Sequence, residues 1–268
     1  MAKEIFGNCA LCGKYAKLTF EHIPPKKALN SQPSRIITGD KLLGDDRLPW
    51  DTEGLRYINQ QQGVGKHSLC KDCNNNTGTW YGSAYSNISH IVHSIIYKKE
   101  GGNVLKLSNF SPLKFIKQVL SMFCSINNNL DDLMQPLREF VLDKNKIGID
   151  KSKYKLCMYF LKNNYTKLCP YTVKITSNKQ GKFESIAISE IATYPLGFVL
   201  YFNPTDTWDY AGVDITGCAD FKYDDLTNAE IPFQLVEIND IFPEFFRTKE
   251  EIRKIREENL SKTKKKDL

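Results

Sequence analysis

The sequence predicts an α+β protein built in two parts, and three observations indicate this class. Residues 1–100 are rich in glycine, proline, asparagine and cysteine and contain few long apolar runs. Residues 105–250 contain apolar stretches with the lengths and periodicities of two helices and a mainly antiparallel sheet. A charged, glycine-bearing segment at 98–103 separates the two. We therefore predict a small N-terminal module, an α+β domain and a charged tail over residues 251–268.

The N-terminal module has too little apolar sequence to bury a core of its own. Residues 17–21 predict a short strand that leads into His22. Residues 30–66 are polar and glycine-bearing and predict a long loop or short hairpins. From Asn74 onward the sequence predicts a helix, because apolar residues as far as Ile96 keep the spacing of one buried face. The asparagines at its start are suitable N-cap residues.

The second part is predicted to contain helices at 113–125 and 130–141, and Pro136 is expected to start or kink the second helix. Strands are predicted where aromatic and β-branched residues lie between asparagine, glycine and proline signals. These predicted strands are 155–161, 171–175, 183–188, 196–202 and 233–236. Residues 248–267 predict a charged helix that frays into lysines, which are solvated or, alternatively, contact nucleic acid.

Composition narrows the class of protein. The net charge of +6 suits a polyanionic partner without requiring one. No apolar run approaches the roughly 18–20 residues of a membrane span, and the N terminus lacks the apolar region of a signal peptide. Four of the eight cysteines are scattered and are expected to be buried hydrophobic residues. We expect a cytoplasmic protein, without a membrane segment, whose remaining cysteines bind a metal.

Two CxxC pairs are the most informative motifs. The paired residues are Cys9, Cys12, Cys70 and Cys73. A CxxC turn places two thiolates at a separation that suits tetrahedral Zn²⁺, and two pairs without a thioredoxin-like context favour structural zinc over redox chemistry. Such a site contributes on the order of 10 kcal/mol to folding in small zinc domains. Four thiolates saturate the metal, so any catalysis requires other residues, which we expect to be Glu21, His22 and Asn74.

These residues suit phosphodiester hydrolysis, which requires an activated water and stabilisation of charge on the phosphate. A neutral imidazole can supply the first, and a hard divalent cation on oxygen ligands can supply the second. Glu21 and His22 offer a carboxylate and an imidazole on adjacent residues. In an extended segment their side chains point to opposite faces, so both serve one site only if the backbone turns, as Pro24 and Pro25 could enforce.

The order of these motifs resembles the HNH endonuclease family, with its zinc-stapled ββα-metal fold, over roughly the first 85 residues. The matching residues are Cys9, Cys12, Glu21, His22, Pro24, Leu69, Cys70, Cys73 and Asn74. The resemblance implies that His22 is the general base, that Glu21 and Asn74 hold a Mg²⁺-like cation, and that DNA is the substrate.

Two positions depart from the family pattern. The family often has histidine after the second CxxC, whereas this chain has Asn74, a weaker oxygen ligand for a hard cation. The middle asparagine, which orients the loop over the base, has no clear counterpart. Asn59 is the first candidate for that role and His67 the second.

Our leading hypothesis is a metal-dependent HNH-type endonuclease that acts on DNA in phage defence or a mobile element. The alternatives are a non-catalytic zinc module that binds nucleic acid or a protein partner, and a scaffold stapled by zinc alone. Taken singly, His22 also suits a surface or capping position, and Asn74 suits an N-cap. The C-terminal part resembles no family, and DNA recognition, homodimer formation, partner binding and ligand sensing all stay open for it.

Basic residues surround the predicted site in the sequence and are compatible with DNA. They are Lys14, Lys17, Lys26, Lys27, Arg35, Lys41, Lys66 and Lys71. Contacts from lysine and arginine to phosphates provide affinity without sequence choice.

Overall fold

The computed structural model describes residues 4–43, 47–100 and 102–266 of the chain. Gly101, in the predicted boundary segment, lies outside the described residues, as do the first three residues, where the absence of a signal peptide was predicted.

The N-terminal half begins with short strands and ends with two consecutive helices. Its elements are β1 (Phe6–Asn8), β2 (Tyr15–His22), β3 (Ser34–Ile36), α1 (Gly39–Leu43), β4 (Ile58–Gln60), β5 (Gly65–Cys70), α2 (Lys71–Trp80) and α3 (Gly82–Lys98). Strands β1, β2 and β5 form an antiparallel sheet, and β3 pairs with β4 in a separate two-stranded antiparallel sheet within the predicted polar segment. Helix α2 follows β5 directly and contacts both β2 and β5.

The second half combines two helices with a larger sheet. Its elements are β6 (Val104–Phe110), α4 (Pro112–Ile126), α5 (Asp131–Leu142), β7 (Tyr154–Leu161), β8 (Thr166–Ser177), β9 (Phe183–Thr193), β10 (Leu196–Phe202), β11 (Val213–Asp214), a 3₁₀ helix (Thr216–Asp220), β12 (Thr227–Pro232), β13 (Leu235–Val236) and α6 (Lys249–Lys266). The order β11-β7-β10-β9-β8 is antiparallel, and β13 joins β7 in parallel. The molecule is thus a mixed α+β protein.

Most of the predicted elements of the second half are confirmed. Helices α4 and α5 match their predicted ranges, and Pro136 lies inside α5. Strands β7, β9 and β10 are also present where they were expected. The β6–β12 pair was not predicted, because β6 finds its partner far along the chain, with Leu105 opposite Ile231.

The long helix predicted from Asn74 differs in two ways. It begins earlier, at Lys71, and Cys70 is its N-cap residue. It is also divided, because Tyr81 leaves helical geometry between α2 and α3. The Tyr81 ring is fully buried, and its hydroxyl donates a hydrogen bond to the Val141 carbonyl, 2.8 Å away, at the end of α5. The break between α2 and α3 therefore lies where the Tyr81 ring is buried against the end of α5.

One hydrophobic core continues across the predicted boundary between the two halves. Leu69 of β5, Tyr85 of α3, Phe115 of α4 and Phe198 of β10 all belong to it. The Tyr85 ring centroid lies 5.9 Å from that of Phe115 and 5.9 Å from that of Phe198. A second cluster, which includes Trp208, packs separately. In the described part of the chain, no helix has the length and apolar character needed to cross a membrane.

Candidate metal centre and adjoining polar site

Four cysteine thiols converge where β1, β5 and α2 meet. The residues are Cys9, Cys12, Cys70 and Cys73, and their sulfur atoms all lie within 4.8 Å of one another. The Sγ atoms of Cys12 and Cys70 are 3.9 Å apart. Zinc–sulfur bonds of 2.3 Å in a tetrahedron place the sulfurs about 3.8 Å apart. None of the eight cysteines forms a disulfide, so this cluster has the composition and the size of a metal site.

Backbone hydrogen bonds hold the first cysteine turn against the second. The Gly13 N–H donates to the Cys9 carbonyl at 2.9 Å, and Gly13 has a φ of +70°, which glycine adopts readily. The Ala10 N–H donates to the Ser68 carbonyl at 2.8 Å, which ties the turn to β5. A hydrogen bond from the Cys73 thiol, and others from backbone N–H groups including that of Cys70, lower the pKa of Cys9 to about 4. This favours the thiolate, which is the form that binds metal.

Glu21 lies in a buried position between the N-terminal module and α4. Its Oε2 accepts hydrogen bonds from Ser68 Oγ of β5, at 3.0 Å, and from Ser125 Oγ of α4. Burial raises the pKa of Glu21 to about 7, against the effect of the two serine hydroxyls. Among the described residues no hydrogen bond reaches Oε1, which is therefore the oxygen available to a cation.

His22 is half-buried at the end of β2, and its ring meets Phe20 edge-on at a centroid distance of 5.0 Å. Its Nε2 lies 3.0 Å from the Gln62 carbonyl oxygen. A carbonyl can only accept, so Nε2 carries the proton, and the neutral ring keeps its lone pair on Nδ1. Burial, together with the nearby charge of Lys26, lowers the pKa of His22 from 6.5, so the imidazole is neutral at pH 7. This protonation state suits a general base.

Asn74 joins α2 to the strand that carries His22. Its Nδ2 donates to Thr19 Oγ1 at 2.9 Å and to the Phe20 carbonyl at 3.2 Å. Both bonds use the amide nitrogen, so Oδ1 is the atom that the side chain can offer to a cation. The simpler prediction of an N-cap role is wrong, because Cys70 occupies that position.

Among the described residues, neither candidate for orienting the base makes a hydrogen bond to His22. Asn59 is exposed in β4, opposite Arg35, and His67 is an exposed residue whose ring meets Phe20 edge-on at 5.4 Å. The group hydrogen-bonded to His22 is the backbone carbonyl of Gln62. Any residue can supply a backbone carbonyl, so nothing in the sequence indicates this contact.

Asn30 fixes the segment that carries Gln62 and was also missed. Its buried amide donates to the Pro24 carbonyl at 2.6 Å and to the Val64 carbonyl at 2.8 Å, while Oδ1 accepts from the Val64 N–H at 2.7 Å. Gly63 has a φ of +98°, and a Cβ there would collide with Asn30. Asn30 therefore ties the chain just after His22, at Pro24, to the chain just after Gln62, at Val64. An asparagine in a polar loop carries no pattern that distinguishes it before the fold is known.

Comparison with known proteins finds no match to this chain among protein-family models, curated proteins or solved structures.

Proposed function

We propose that the chain is a metal-dependent, HNH-type endonuclease that hydrolyses phosphodiester bonds in DNA. The observation that carries this proposal is the hydrogen bond from His22 Nε2 to the Gln62 carbonyl, which leaves Nδ1 available, while burial lowers the pKa of His22 and so favours the neutral imidazole. Such a group can accept the proton of an attacking water. The ββα arrangement of β2, β5 and α2 beside four cysteines supports the same class.

Two further residues would hold a divalent cation of the Mg²⁺ type. Glu21 offers Oε1 and Asn74 offers Oδ1, and both are oxygen ligands of the kind that hard cations prefer. The bound cation would stabilise the developing charge on the phosphate. In this proposal Ser68 and Ser125 fix the carboxylate through Oε2, as partners behind a metal ligand commonly do. The four thiolates would hold a structural zinc that takes no part in hydrolysis.

The charge distribution supports a nucleic-acid substrate. Most basic side chains between residues 98 and 182 lie within 4.0 Å of a carboxylate, for example Lys151 with Asp220. In the described part of the module, several basic side chains make no such ion pair. They are Lys14, Lys26, Lys27, Arg35, Lys41, Arg56, Lys66 and Lys71. Cations without acidic partners are available to phosphates.

One observation favours the alternative of a non-catalytic zinc module that binds nucleic acid or a protein. Glu21 is only 4% exposed, and two serine hydroxyls already satisfy one of its oxygens. A side chain this deeply buried also serves as a contact between the module and α4. The alternative implies that zinc is the only metal bound.

The two functions are separated by plasmid cleavage with Mg²⁺ or Mn²⁺. We expect His22→Ala to lower the cleavage rate at least 100-fold, because the general base is lost. His67→Ala is the matched control, since His67 contacts the same Phe20 ring from β5, and it should keep most of the activity. Both variants should retain about one zinc per chain by elemental analysis. Equal cleavage by wild type and His22→Ala would refute the assignment of the base, and DNA binding without cleavage by any of the proteins would favour the alternative.

A further inference from the structure

We propose that the start of helix α6, together with Trp50, forms a second binding surface for the phosphate backbone of nucleic acid. The inference takes the class of partner from the proposed function but does not depend on cleavage. The lysines at the end of this helix were expected to be solvated. The start of the helix lies beside Trp50 of the N-terminal module, far from it in the chain.

The contact is made by two basic side chains over one aromatic ring. Lys249 Nζ lies 5.2 Å from the centroid of the Trp50 ring, and Arg253 Cζ lies 5.5 Å from it. The two residues are four positions apart in α6 and so share one side of the helix. Both are exposed, whereas Trp50 is half-buried. A ring contact of this kind orients a cation without neutralising its charge.

Two basic side chains at the start of α6 favour a polyanion. By sequence, the helix carries eight basic and four acidic residues, of which four of each lie at 249–258, and the surplus consists of Lys262, Lys264, Lys265 and Lys266. Among the described residues, neither Lys249 nor Arg253 has a carboxylate within 4.0 Å. The nearby acid Glu251 has a local role, since it accepts hydrogen bonds from the backbone N–H of Thr248, at 2.7 Å, and from its hydroxyl, at 3.0 Å. The charges of Lys249 and Arg253 are therefore available to an external anion.

The same helix is poorly suited to docking a protein. Over residues 249–258 its apolar side chains are Ile252 and Ile255, and Ile255 is 37% exposed. A helix that packs against a protein partner usually presents a broader apolar stripe. Basic side chains beside an aromatic ring are typical of surfaces that contact phosphates and bases.

A similar pairing occurs elsewhere in the module. Arg35 Cζ lies 4.7 Å from the centroid of the Tyr57 ring, and Arg35 also lacks a carboxylate partner among the described residues. Arg35 belongs to β3, whose partner strand β4 ends two residues before Gln62, the residue that binds His22. Basic and aromatic residues thus recur in the segment that leads to the candidate base.

The test measures binding of a fluorescein-labelled DNA duplex by anisotropy at several salt concentrations. The full-length His22→Ala protein serves as the parent, so that the duplex stays intact. Adding Lys249→Gln and Arg253→Gln should weaken binding roughly tenfold and reduce the salt slope by about 2. The control adds Lys151→Gln and Lys153→Gln, whose side chains are paired with Asp220 and Asp150. It should stay within about twofold of the parent.

Several outcomes would overturn the inference. Unchanged affinity and salt slope in the α6 variant would do so, as would an equal loss in the control, which would indicate a general effect of net charge. Absence of binding by the parent, or α6-dependent binding to phosphatidylserine vesicles but not to DNA, would also exclude a nucleic-acid surface. Binding is measured without cleavage. If the wild type does not cleave DNA but the α6 substitutions still weaken binding, the nuclease proposal alone would be refuted.

Discussion

At the residue scale, the candidate site depends on both halves of the chain. Glu21 belongs to β2, and its Oε2 is held by Ser68 of the same module and by Ser125 of α4. The second hydroxyl comes from a helix that follows the predicted boundary. A buried carboxylate depends on such donors, since each hydrogen bond to a charged group contributes about 1.5–3 kcal/mol. The position of Glu21 is therefore set by the packing of α4 against the module.

Two serines of α4 provide a matched pair to test this dependence. At about pH 8.5, where Glu21 with a pKa of about 7 is ionised, Ser125→Ala should lower the free energy of unfolding by about 1.5–3 kcal/mol, because it removes a donor from the buried Glu21 carboxylate. Ser121, one turn earlier, is equally buried, and among the described residues its hydroxyl has no hydrogen-bond partner. Ser121→Ala should therefore leave stability unchanged or raise it slightly. Denaturant unfolding measures both, and similar losses in the two variants would contradict the role given to Ser125.

At the scale of elements, the end of α5 is held by two buried side chains. Lys117 Nζ donates to the carbonyls of Phe140, at 2.6 Å, and Asp143, and Tyr81 donates to that of Val141. These carbonyls lie at the negative end of the helix dipole, where a cation is favourable. Burial lowers the pKa of Lys117 to about 8 despite the opposing charge of Asp143. The same contacts attach α5 to α4 and to the junction between α2 and α3.

The lowered pKa of Lys117 predicts a specific dependence of stability on pH. Between about pH 8 and 10.5 the unfolded chain binds this proton more tightly than the folded chain, so the free energy of unfolding rises with pH. Relative to Lys117→Met, the wild type should gain on the order of 1–2 kcal/mol between about pH 8 and pH 10. The comparison with the variant cancels the contribution of the tyrosines. Denaturant titrations at both pH values measure the gain, and parallel pH profiles would refute it.

At the scale of the whole molecule, the two halves are joined by apolar and polar contacts. The main core runs from the first cysteine turn to β12. Polar contacts cross the same boundary, and one of them joins His93 Nδ1 of α3 to the Tyr194 hydroxyl, 3.1 Å away, beside β10. Because the core is shared, unfolding of either half would expose apolar surface of the other half to water. The chain is therefore expected to unfold as a single cooperative unit.

Tryptophans on opposite sides of the boundary can report on this cooperativity. Trp50 lies in the module, and Trp208 lies in the second apolar cluster. In variants that keep only one of them, with phenylalanine at the other tryptophan positions, both probes should give the same denaturation midpoint. A chelator that removes a metal from the cysteine cluster should lower both midpoints together. Two separate transitions would instead indicate independently folding parts.

The sequence alone determined the features that local chemistry and periodicity encode. The CxxC pairs predicted the cysteine cluster, because their spacing has few uses outside metal binding. Helices α4 and α5 and strands β7, β9 and β10 followed from apolar periodicity within short windows. The short extended segment expected at 17–21 is part of β2, which runs as far as His22.

Only the tertiary structure decided what those residues contact. The pairing of Glu21 with Ser125, the Gln62 carbonyl on His22, the Asn30 bonds to Val64 and the approach of α6 to Trp50 each join residues far apart in the chain. None produces a repeating pattern, because each depends on how separate elements pack and on which backbone atoms are left facing one another. Periodicity reports which face of an element is buried, whereas packing determines what it is buried against.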